Sequence, residues 1–232
     1  MGVHYHKRPI VTDGLVFQVD AANKLCGNVT DAKNMVNPTE LGSFENGMGV
    51  TDNAYVFDGV GDYIDCGTSI GDSLGDNYTG DLSVSLWFKT NIVTPANDGI
   101  FSIGLFNGAV IGMITISIYN NGLYYRLNNG FWIKTVAFTD TTSWHHLLVV
   151  YKAGSEADSK MFLDGADVGT PSGTFPTTLN MDFAGLKTTI GAYYSQAFGI
   201  NGNIGKINIY NKALTQSEIT QNYEATKSRY IN

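Results

Sequence analysis

The sequence is poor in charge, in proline and above all in cysteine. Asp, Glu, Lys and Arg make up 15% of the 232 residues, and there are 5 prolines and 2 cysteines. Two cysteines are too few for a disulfide framework, and neither Cys26 nor Cys66 has the C-x-x-C spacing of a metal site. Each is predicted to be a buried free thiol, and a Cys26–Cys66 disulfide is the alternative.

A basic surface and a long apolar segment are also missing. The formal net charge is -7 and the lysines and arginines are scattered, which argues against a nucleic-acid partner because that affinity comes from clustered positive charge. No apolar run approaches the roughly 20 residues that cross a bilayer, and the opening MGVHYHKRP lacks the apolar core of a signal peptide. We therefore expect a soluble protein without a membrane span, made without Sec export.

Glycine and aromatic residues are abundant instead. The 27 glycines and the aromatic content of 12% are typical of a protein with many short strands and tight turns. The length fits one all-β domain, and no charge run or Pro/Ser-rich linker divides the chain. Residues 1–12 are predicted to be an N-terminal arm because apolar periodicity starts late, and residues 13–232 to be a single domain whose core begins near Leu15.

Alternating apolar and polar residues predict about a dozen strands with no helical crossover between them. The cleanest alternation is in LSVSLWFK. AYVFDGVGDYIDCG is predicted to be a strand pair around Asp58-Gly59, and Asn121-Gly122 and Asn129-Gly130 predict a three-strand meander. WHHLLVVY and KMFLDGADVG, with a turn at Asp164-Gly165, add two strands, and KTTIGAYY and GKINIYN add the last two. The polar stretch over residues 23–53 is interpreted as a long irregular connection.

Only the end of the sequence predicts a helix, over ALTQSEITQNYEATKSRY. Thr215 can cap this helix while Glu218 reaches back, and Leu214 can contact Ile219 across the first turn. Ile219, Tyr223 and Tyr230 then fall on one stripe, so the helix should lie on the sandwich. The predicted fold class is all-β: a two-sheet antiparallel jelly-roll sandwich with a C-terminal amphipathic helix.

Four segments carry a family resemblance. FDGVGDYIDCG, LSVSLWFK, WHHLLVVY followed by MFLDG, and GNIGKINIYNKALTQSEI resemble the successive signatures of laminin-G-like, concanavalin A-like jelly rolls, over about residues 55–223. The resemblance implies a two-sheet sandwich whose edge loops often bind glycans or proteins. Some relatives hold calcium with an acidic residue just before the last strand, whereas this chain has Gly205 and Lys206 there, a departure that argues against that site.

The two ends of the chain carry a narrower resemblance. HKRPIVTDGLVFQVDAANK and ALTQSEITQNYEATKSRY are similar to the N-terminal segments and terminal helices of laminin-G-like structural proteins of tailed bacteriophages. The resemblance implies a non-enzymatic virion protein, either a capsid decoration or a head or tail fibre component, synthesised in the host cytoplasm. Its partners would be other virion proteins in a homo-oligomer or multicopy assembly. The alternative is a carbohydrate-binding lectin module for host adhesion.

The sequence contains no recognisable catalytic constellation. A retaining glucanase needs two carboxylates about 5 Å apart, but no glutamate lies in an alternating strand beside an aspartate; the glutamates are Glu40, Glu45, Glu156, Glu218 and Glu224. His145 and His146 are adjacent in a predicted strand, so their side chains should point to opposite faces. We therefore expect no catalytic residues, no cofactor and no enzymatic activity.

Three sets of residues are candidates for binding, each with a structural alternative. Asp72, Asp76 and Asp81 could offer oxygens to calcium, although turns favour Asp for local hydrogen bonds alone. His4-Tyr5-His6 could hold a metal if threefold symmetry joined three copies, the alternative being a docking or disordered arm. Five aromatic residues could stack on sugar rings or simply pack between the sheets: Tyr124, Tyr125, Trp132, Tyr193 and Tyr194. None of these sets is specific enough to define a metal site or a ligand-binding site.

Overall fold

The structure is a computed structural model that describes ten ranges of the chain: residues 8–26, 30–51, 53–75, 77–93, 98–105, 114–127, 131–169, 175–179, 187–193 and 198–231. Within these ranges the chain forms two β-sheets, two α-helices and a short 3₁₀ helix. The helices are α1 (Ser69–Leu74) and α2 (Gln216–Thr226), and the 3₁₀ helix Lys227–Arg229 follows α2. In the described part of the chain, no helix has the length and apolar character needed to span a membrane.

The first sheet has eight strands: β1 (Leu15–Asp20), β4 (Gly49–Val50), β5 (Tyr55–Asp58), β7 (Leu82–Thr90), β12 (His145–Tyr151), β13 (Lys160–Leu163), β14 (Ala166–Asp167) and β18 (Asn201–Tyr210). Their order is β14-β13-β12-β7-β18-β5-β4, and β1 also pairs with β18. The late strand β18 therefore lies in the middle of this sheet.

The second sheet has ten strands: β2 (Asp31–Lys33), β3 (Leu41–Glu45), β6 (Tyr63–Asp65), β8 (Asp98–Leu105), β9 (Ile114–Tyr119), β10 (Gly122–Leu127), β11 (Phe131–Ala137), β15 (Lys187–Ile190), β16 (Ala192–Tyr193) and β17 (Phe198–Gly199). Its main order is β11-β10-β9-β8-β15-β6-β3-β2. The pairing is antiparallel except where β17 meets β8. The two-sheet antiparallel sandwich predicted from the sequence is confirmed.

The main core lies between the two sheets and follows the predicted alternation. Four alternate residues of β7 belong to this core: Leu82, Val84, Leu86 and Phe88. Ile207 and Ile209 of β18 enter the same core, while Lys206 and Asn208 do not. Successive side chains of a strand point to opposite faces. The alternation of apolar and polar residues was therefore enough to identify the side chains that point between the two sheets.

The outer face of the eight-stranded sheet is buried too, because α2 lies on it. A second apolar cluster joins this face to the helix: Val11, Leu148, Val150, Phe162, Tyr210, Leu214 and Ile219. The indole of Trp87 stacks on Tyr223 and Tyr230, with ring centroids 5.9 and 4.6 Å away, and its Nε1–H donates to Thr226 Oγ1 at 2.8 Å. The predicted docking of the terminal helix is therefore confirmed.

The start of α2 has the predicted capping box. The Thr215 side chain accepts a hydrogen bond from the Glu218 backbone N–H, and the Glu218 carboxylate accepts one from the Thr215 backbone N–H. Leu214 and Ile219 belong to the same buried cluster. The cap thus fixes the first turn of the helix that covers the sheet.

A Thr215→Ala variant is expected to lose about 1 kcal/mol of unfolding free energy, because the N-terminal N–H groups of α2 lose their side-chain acceptor. Urea denaturation followed by circular dichroism measures this loss. Thr220→Ala is the matched control, since Thr220 is exposed and its hydroxyl donates only to the Gln216 carbonyl of the same helix. Equal midpoints for wild type and Thr215→Ala would contradict the capping role.

The N-terminal segment joins the core earlier than predicted. Val11 is buried, and its backbone N–H donates to Asn222 Oδ1 at 2.8 Å. Asn222 Nδ2 donates to the Tyr210 hydroxyl, which donates in turn to the Val11 carbonyl, so three residues close a buried ring of hydrogen bonds. The predicted core start near Leu15 is therefore too late, because residues 9–12 of the predicted arm over 1–12 already run onto α2.

Two predictions about chain connection are wrong. β5 and β6 do not form a hairpin around Asp58-Gly59, because they lie in different sheets; the chain crosses between sheets through a loop in which Gly59 and Gly61 both have φ 84°. Residues 23–53 are not an irregular connection, since they contain β2, β3 and β4. Alternation fixes which face of a strand is buried, but it does not identify the strand's partner.

The predicted meander is confirmed as β9-β10-β11. Its first turn lies one residue earlier than predicted, at Asn120 and Asn121, where φ is 44° and 60° and Gly122 already pairs with Tyr119. Two successive positive φ angles define the type I′ turn that matches strand twist, and Asn tolerates them. Asn129-Gly130 lies outside the described residues. The turn at Asp164-Gly165 joins β13 to β14 as predicted.

Candidate functional site

A row of directly paired residues crosses the outer face of the ten-stranded sheet. Each member is the register partner of the next, on β3, β6, β15, β8, β9 and β10 in turn: Ser43, Asp65, Thr189, Ser102, Thr115 and Arg126. Directly opposite residues share a face. Because Ile64, Ile103 and Ile116, next to members of this row in sequence, belong to the core, the row points away from it.

The centre of this row is closed to water and its hydroxyls are mostly satisfied. Ser102, Thr115 and Thr189 are buried. Ser102 Oγ lies 3.2 Å from Thr115 Oγ1, and Thr189 Oγ1 donates to the Ala192 carbonyl at 2.9 Å. The accessible groups of the face are therefore at the two ends of the row.

One end is occupied by ion pairs and hydrogen bonds among its own residues. The Lys187 ammonium contacts Asp65 Oδ2, and this hydrogen bond raises the pKa of Lys187. Asp65 Oδ1 accepts the Gly67 backbone N–H at 2.9 Å, and Ser43 Oγ donates to Glu45 Oε1 at 2.7 Å. The ion pair joins β15 to β6, and the other two hydrogen bonds engage the polar groups of β3 and β6, so we assign this end a structural role.

The other end, which we call the tyrosine end, consists of Ser117, Tyr119, Tyr124 and Arg126. Tyr119 is 43% exposed although it is a large aromatic residue. Its ring meets that of Tyr124 edge-on, with centroids 5.8 Å apart and an interplanar angle of 68°. Ser117 lies directly opposite Tyr124, and among the described residues its buried Oγ has no hydrogen-bond partner. An exposed ring, an unsatisfied hydroxyl and a guanidinium are thus arranged side by side.

These groups match what a polyhydroxylated ligand offers. A tyrosine ring presents a flat apolar surface with a polar tip, which suits a sugar ring whose faces carry C–H groups and whose edge carries hydroxyls. A serine hydroxyl can donate or accept, and an arginine donates through as many as five N–H groups. The arrangement can bind such a ligand, and it contains no nucleophile with an adjacent base.

Of the proposed aromatic residues whose side chains the structure describes, Tyr124 lies at this end and Tyr125 does not. Tyr125 is in the core, with its ring centroid 6.4 Å from that of Phe175, and burial raises the pKa of its hydroxyl. The side chains of Trp132 and Tyr193, and the whole of Tyr194, lie outside the described residues. Sequence reasoning missed Tyr119. The alternation in ITISIY, where isoleucines take one face, could have placed it beside Ser117 on the other.

The two adjacent histidines point to opposite faces, as predicted. His145 lies beside Phe138, with ring centroids 5.0 Å apart, and its Nδ1 is 2.7 Å from Asp164 Oδ2. His146 lies beneath α2 with its Nε2 2.8 Å from Ser85 Oγ. Burial lowers the pKa of His146 to about 4, and no described residue forms a hydrogen bond with its Nδ1. In the described part of the chain, no carboxylate orients the ring of this buried serine–histidine pair.

Four of the glutamates have structural partners. Glu218 caps α2 and pairs with Lys212, Glu224 pairs with Lys227, Glu45 accepts from Ser43, and Glu40 accepts from the side chains of Asn34 and Asn37. These contacts stabilise a cap, a helix surface and two turns. They leave each of these carboxylates with a role that needs no substrate.

The aspartates proposed for calcium have partners of their own. Asp81 Oδ2 lies 2.6 Å from Lys152 Nζ, and Asp81 Oδ1 accepts the Ala153 N–H at 3.0 Å. Asp72 is in α1 and accepts from the Thr68 hydroxyl at 2.7 Å, while Asp76 lies outside the described residues. Among the residues that the structure describes, no three His, Cys, Asp or Glu are grouped to hold a metal. His4-Tyr5-His6 also lies outside them.

Lys206 instead belongs to a buried charge cluster, which we call the Asp20 cluster. Lys206 Nζ lies 3.5 Å from Asp20 Oδ2, and the Arg229 guanidinium donates to the two carboxylate oxygens of Asp20 at 2.8 and 2.7 Å. Burial lowers the pKa of Lys206. The cluster ties β1 and β18 to the 3₁₀ helix that follows α2, with a lysine where the resemblance placed an acidic residue.

The two cysteines are free and buried. The Cys26 thiol donates to the Lys33 carbonyl at 2.7 Å and accepts the Asp20 backbone N–H at 3.0 Å. Burial raises the pKa of the Cys66 thiol. Both thiols therefore act as small core groups in this structure.

Comparison with known families gives the chain its class. The model of the Concanavalin A-like lectin/glucanases superfamily matches residues 58–220. The chain therefore belongs to the concanavalin A-like lectin/glucanase superfamily, and the laminin-G-like resemblance of its strands is confirmed. A search of curated proteins gives no match.

Solved structures share the fold at low identity. A sialidase of Trypanosoma rangeli in complex with sialic acid is 13% identical with a TM-score of 0.72, over 96% of this chain and 35% of the sialidase. Domain 4 of AbnA, an extracellular arabinanase from Geobacillus stearothermophilus, in complex with arabinotriose, is 19% identical with a TM-score of 0.63, over 90% of this chain and 98% of that domain. The binding domain of Paraclostridial Mosquitocidal Protein 1 is 14% identical with a TM-score of 0.66, over 90% of this chain and 52% of that domain. The chain thus spans about a third of the sialidase, and these likenesses concern the fold.

Proposed function

We propose that the protein is a non-enzymatic glycan-binding module that holds its ligand at the tyrosine end of the ten-stranded sheet. The family includes lectins and glucanases, so membership alone does not separate binding from catalysis. The buried serine–histidine pair and the structurally engaged glutamates favour binding. A similar domain solved with arabinotriose makes an oligosaccharide a reasonable class of ligand to test.

The observation that carries this proposal is the exposed ring of Tyr119 beside the unsatisfied hydroxyl of Ser117. An exposed aromatic ring on a sheet face offers a flat apolar surface to a ligand. A sugar ring that stacks on this surface removes it from water, which stabilises the complex. Ser117 is fully buried, so a ligand hydroxyl reaches its unsatisfied oxygen only when the side chains that cover it move aside. The exposed ring therefore favours occupancy of this end by a molecule that has C–H faces and hydroxyl groups.

Tyr119→Ala is expected to weaken glycan binding about two- to tenfold, because stacking on an aromatic ring contributes on the order of 0.5–1.5 kcal/mol. A glycan array first identifies the ligand, and isothermal titration calorimetry then measures its affinity for each variant. Tyr119→Phe keeps the ring and should bind nearly as well as wild type. Stability should change little, since Tyr119 is partly exposed.

The matched control for this experiment is Val60→Ala. Val60 is 79% exposed in the loop between β5 and β6, away from the tyrosine end, so its removal should not affect glycan affinity. A blank array, or equal loss of affinity in Val60→Ala and Tyr119→Ala, would overturn the proposed site. Release of reducing sugar from the bound glycan would overturn the non-enzymatic assignment.

A second candidate function is a structural role in a tailed-phage virion, in many copies and in contact with other virion proteins. The two segments similar to phage structural proteins fold against each other, since Val11 hydrogen-bonds Asn222 and Arg229 holds Asp20. They therefore form one unit on one side of the sandwich and can act as one surface. Antibodies against the protein should label purified phage particles from its source; unlabelled particles would remove this candidate.

A further inference from the structure

His145 lies where two surface segments meet: the β11–β12 connection, which is residues 138–144, and the β13–β14 turn at Asp164-Gly165. Its side chain is only 13% exposed. Nδ1 of the ring lies 2.7 Å from Asp164 Oδ2, and Nε2 lies 3.3 Å from Asp140 Oδ2, which is ion-pair distance. The imidazole therefore stands between two carboxylates that belong to different segments.

Each carboxylate is held in place by its own segment. Asp140 Oδ1 accepts the backbone N–H and the hydroxyl of Thr142 at 2.6 and 2.9 Å, and the backbone hydrogen bond contributes most to a lowered pKa of Asp140. Asp164 Oδ1 accepts the His146 N–H at 2.8 Å, and the Asp164 N–H donates to the His146 carbonyl at 2.8 Å. Both segments thus present a carboxylate oxygen to the imidazole in a fixed orientation.

The number of protons on the ring decides how many of these contacts are favourable. A neutral imidazole has one N–H and donates to a single carboxylate, whereas an imidazolium donates from both nitrogens. The short contact to Asp164 favours Nδ1 as the position of the single proton of the neutral ring. The lone pair on Nε2 then faces Asp140 Oδ2, which also offers only lone pairs. Loss of the second proton therefore changes the Asp140 contact from attraction to repulsion.

The two carboxylates favour the charged ring. Burial opposes a charge on His145, but the hydrogen bond and charge of Asp164, together with the Asp140 carboxylate, outweigh it and raise the pKa of His145. The folded protein therefore binds this proton more tightly than the unfolded chain does. By linkage, the stabilisation is complete below the ordinary pKa of about 6.5 and is lost as the pH rises through the raised pKa.

The other described neighbours of this imidazole keep their charge state near neutral pH. Phe88 of β7 and Phe138 of the β11–β12 connection contact it with uncharged rings, at centroid distances of 6.0 and 5.0 Å. Tyr223 and His146 interact with the carboxylate of the β13–β14 turn, and both are neutral because burial raises the pKa of Tyr223 and lowers that of His146 to about 4. Among the residues that the structure describes, no lysine or arginine pairs with either carboxylate.

We propose that His145 is a pH-sensitive latch, which links the β11–β12 connection to the β13–β14 turn when it is protonated and releases the connection when it loses that proton. The contact with Asp164 persists in both states, because Nδ1–H donates in each. The connection begins at Phe138, whose backbone N–H donates to the Asn121 carbonyl at 2.8 Å in the turn after Tyr119. The latch thus acts on a segment next to the tyrosine end. This inference does not depend on the proposed glycan binding.

A double-mutant cycle between His145 and Asp140 tests the latch in the full chain. Asp140→Asn removes the charge but keeps an oxygen for the Thr142 N–H, and His145→Gln keeps a donor for Asp164 without a titratable ring. Urea unfolding of the wild type, the two single variants and the double variant gives their coupling. Near pH 6 we expect this coupling to change the unfolding equilibrium constant roughly three- to tenfold. Near pH 9 the stabilising coupling should be lost.

Two outcomes of the cycle would overturn the latch. Equal coupling at the two pH values would show a packing contact that does not titrate. Absence of coupling at both pH values would show that the two side chains do not act on each other. Glycan affinity enters neither measurement, so failure of the latch and failure of the glycan proposal are separate results.

A proton NMR titration gives a second test that does not depend on stability. The Cε1–H signal that His145→Gln removes belongs to His145, and we expect its midpoint to lie above the ordinary value of about 6.5. Asp140→Asn should weaken proton binding by His145 roughly three- to tenfold. Asp13→Asn is the matched control, because it removes the same charge from an exposed carboxylate that pairs with Lys212, and it should leave the midpoint unchanged. A wild-type midpoint below the ordinary value, or equal midpoints in wild type and Asp140→Asn, would contradict the latch.

Discussion

Trp87→Ala is expected to lose about 3–5 kcal/mol of unfolding free energy, which is the range for a large buried aromatic residue. Its indole is 1% exposed, stacks on Tyr223 and Tyr230, and donates to Thr226 Oγ1. The substitution removes the ring on which the second half of α2 rests and leaves a cavity on the outer face of β7. Urea unfolding followed by circular dichroism measures the effect.

Two further variants separate packing from hydrogen bonding. Trp87→Phe keeps an aromatic ring but removes the N–H donor, so it should lose less than Trp87→Ala. Trp144→Ala is the control for a generic tryptophan effect, because Trp144 touches Tyr230 with centroids 4.9 Å apart but is only half-buried. A Trp87→Ala protein as stable as Trp144→Ala would show that α2 does not depend on this stack.

Asp20→Ala is expected to be similarly damaging, by about 3–5 kcal/mol, because it removes one partner of a buried charge cluster. Asp20 and Lys206 are only 4% and 6% exposed. Without the carboxylate, the Lys206 ammonium keeps its desolvation and loses its counter-charge. Arg229 loses both of its hydrogen bonds to Asp20. Thermal and urea unfolding at neutral pH measure the loss.

The double variant Asp20→Ala/Lys206→Met tests the cause of this loss. Methionine covers a similar volume without charge, so the double variant should regain a substantial part of the stability. Asp13→Ala is the matched control, since Asp13 pairs with Lys212 at the surface, where an ion pair contributes only about 0–1 kcal/mol. If the Asp20→Ala and Asp13→Ala variants had the same melting temperature, the buried cluster would not stabilise the fold.

The sequence predicted the features that depend on neighbours in the chain. The alternation in LSVSLWFK placed Leu82, Val84, Leu86 and Phe88 in the core, and Thr215 with Glu218 defined the start of α2. A strand face and a helix cap are decided by residues two to four positions apart. Local pattern is therefore sufficient information for both.

The features that were missed depend on distant parts of the chain. Asp58-Gly59 has the composition of a hairpin turn, yet β5 and β6 pair with β18 and β15 in different sheets. Val11 is buried because Asn222, 211 positions later, accepts its N–H. Local alternation does not carry this information, because the burial of Val11 depends on contact with α2, which is distant in the sequence.

For the candidate site, the sequence proposed the kind of contact and one of its residues, Tyr124, but not Tyr119. The sequence raised aromatic stacking on sugars and put forward Tyr125, which the fold buries in the core. Among the described residues, Tyr119 contacts the ring of Tyr124 on the neighbouring strand. This contact is recognised only when the pairing register of the two strands is known. The structure provides that register, and the sequence does not.

The central place of β18 determines when this protein can fold during synthesis. Leu15–Asp20 pairs with residues 206–210 of β18, β5 pairs with residues 201–204, and β7 pairs with both stretches along the opposite edge. A ribosome adds about 5–20 residues per second, so roughly ten seconds or more separate translation of β1 from translation of its partner. During that interval β1, β5 and β7 each lack a neighbour, and their unpaired edges are open to wrong partners. Early chaperone binding to β1, β5 and β7 would therefore protect the nascent chain until β18 leaves the exit tunnel.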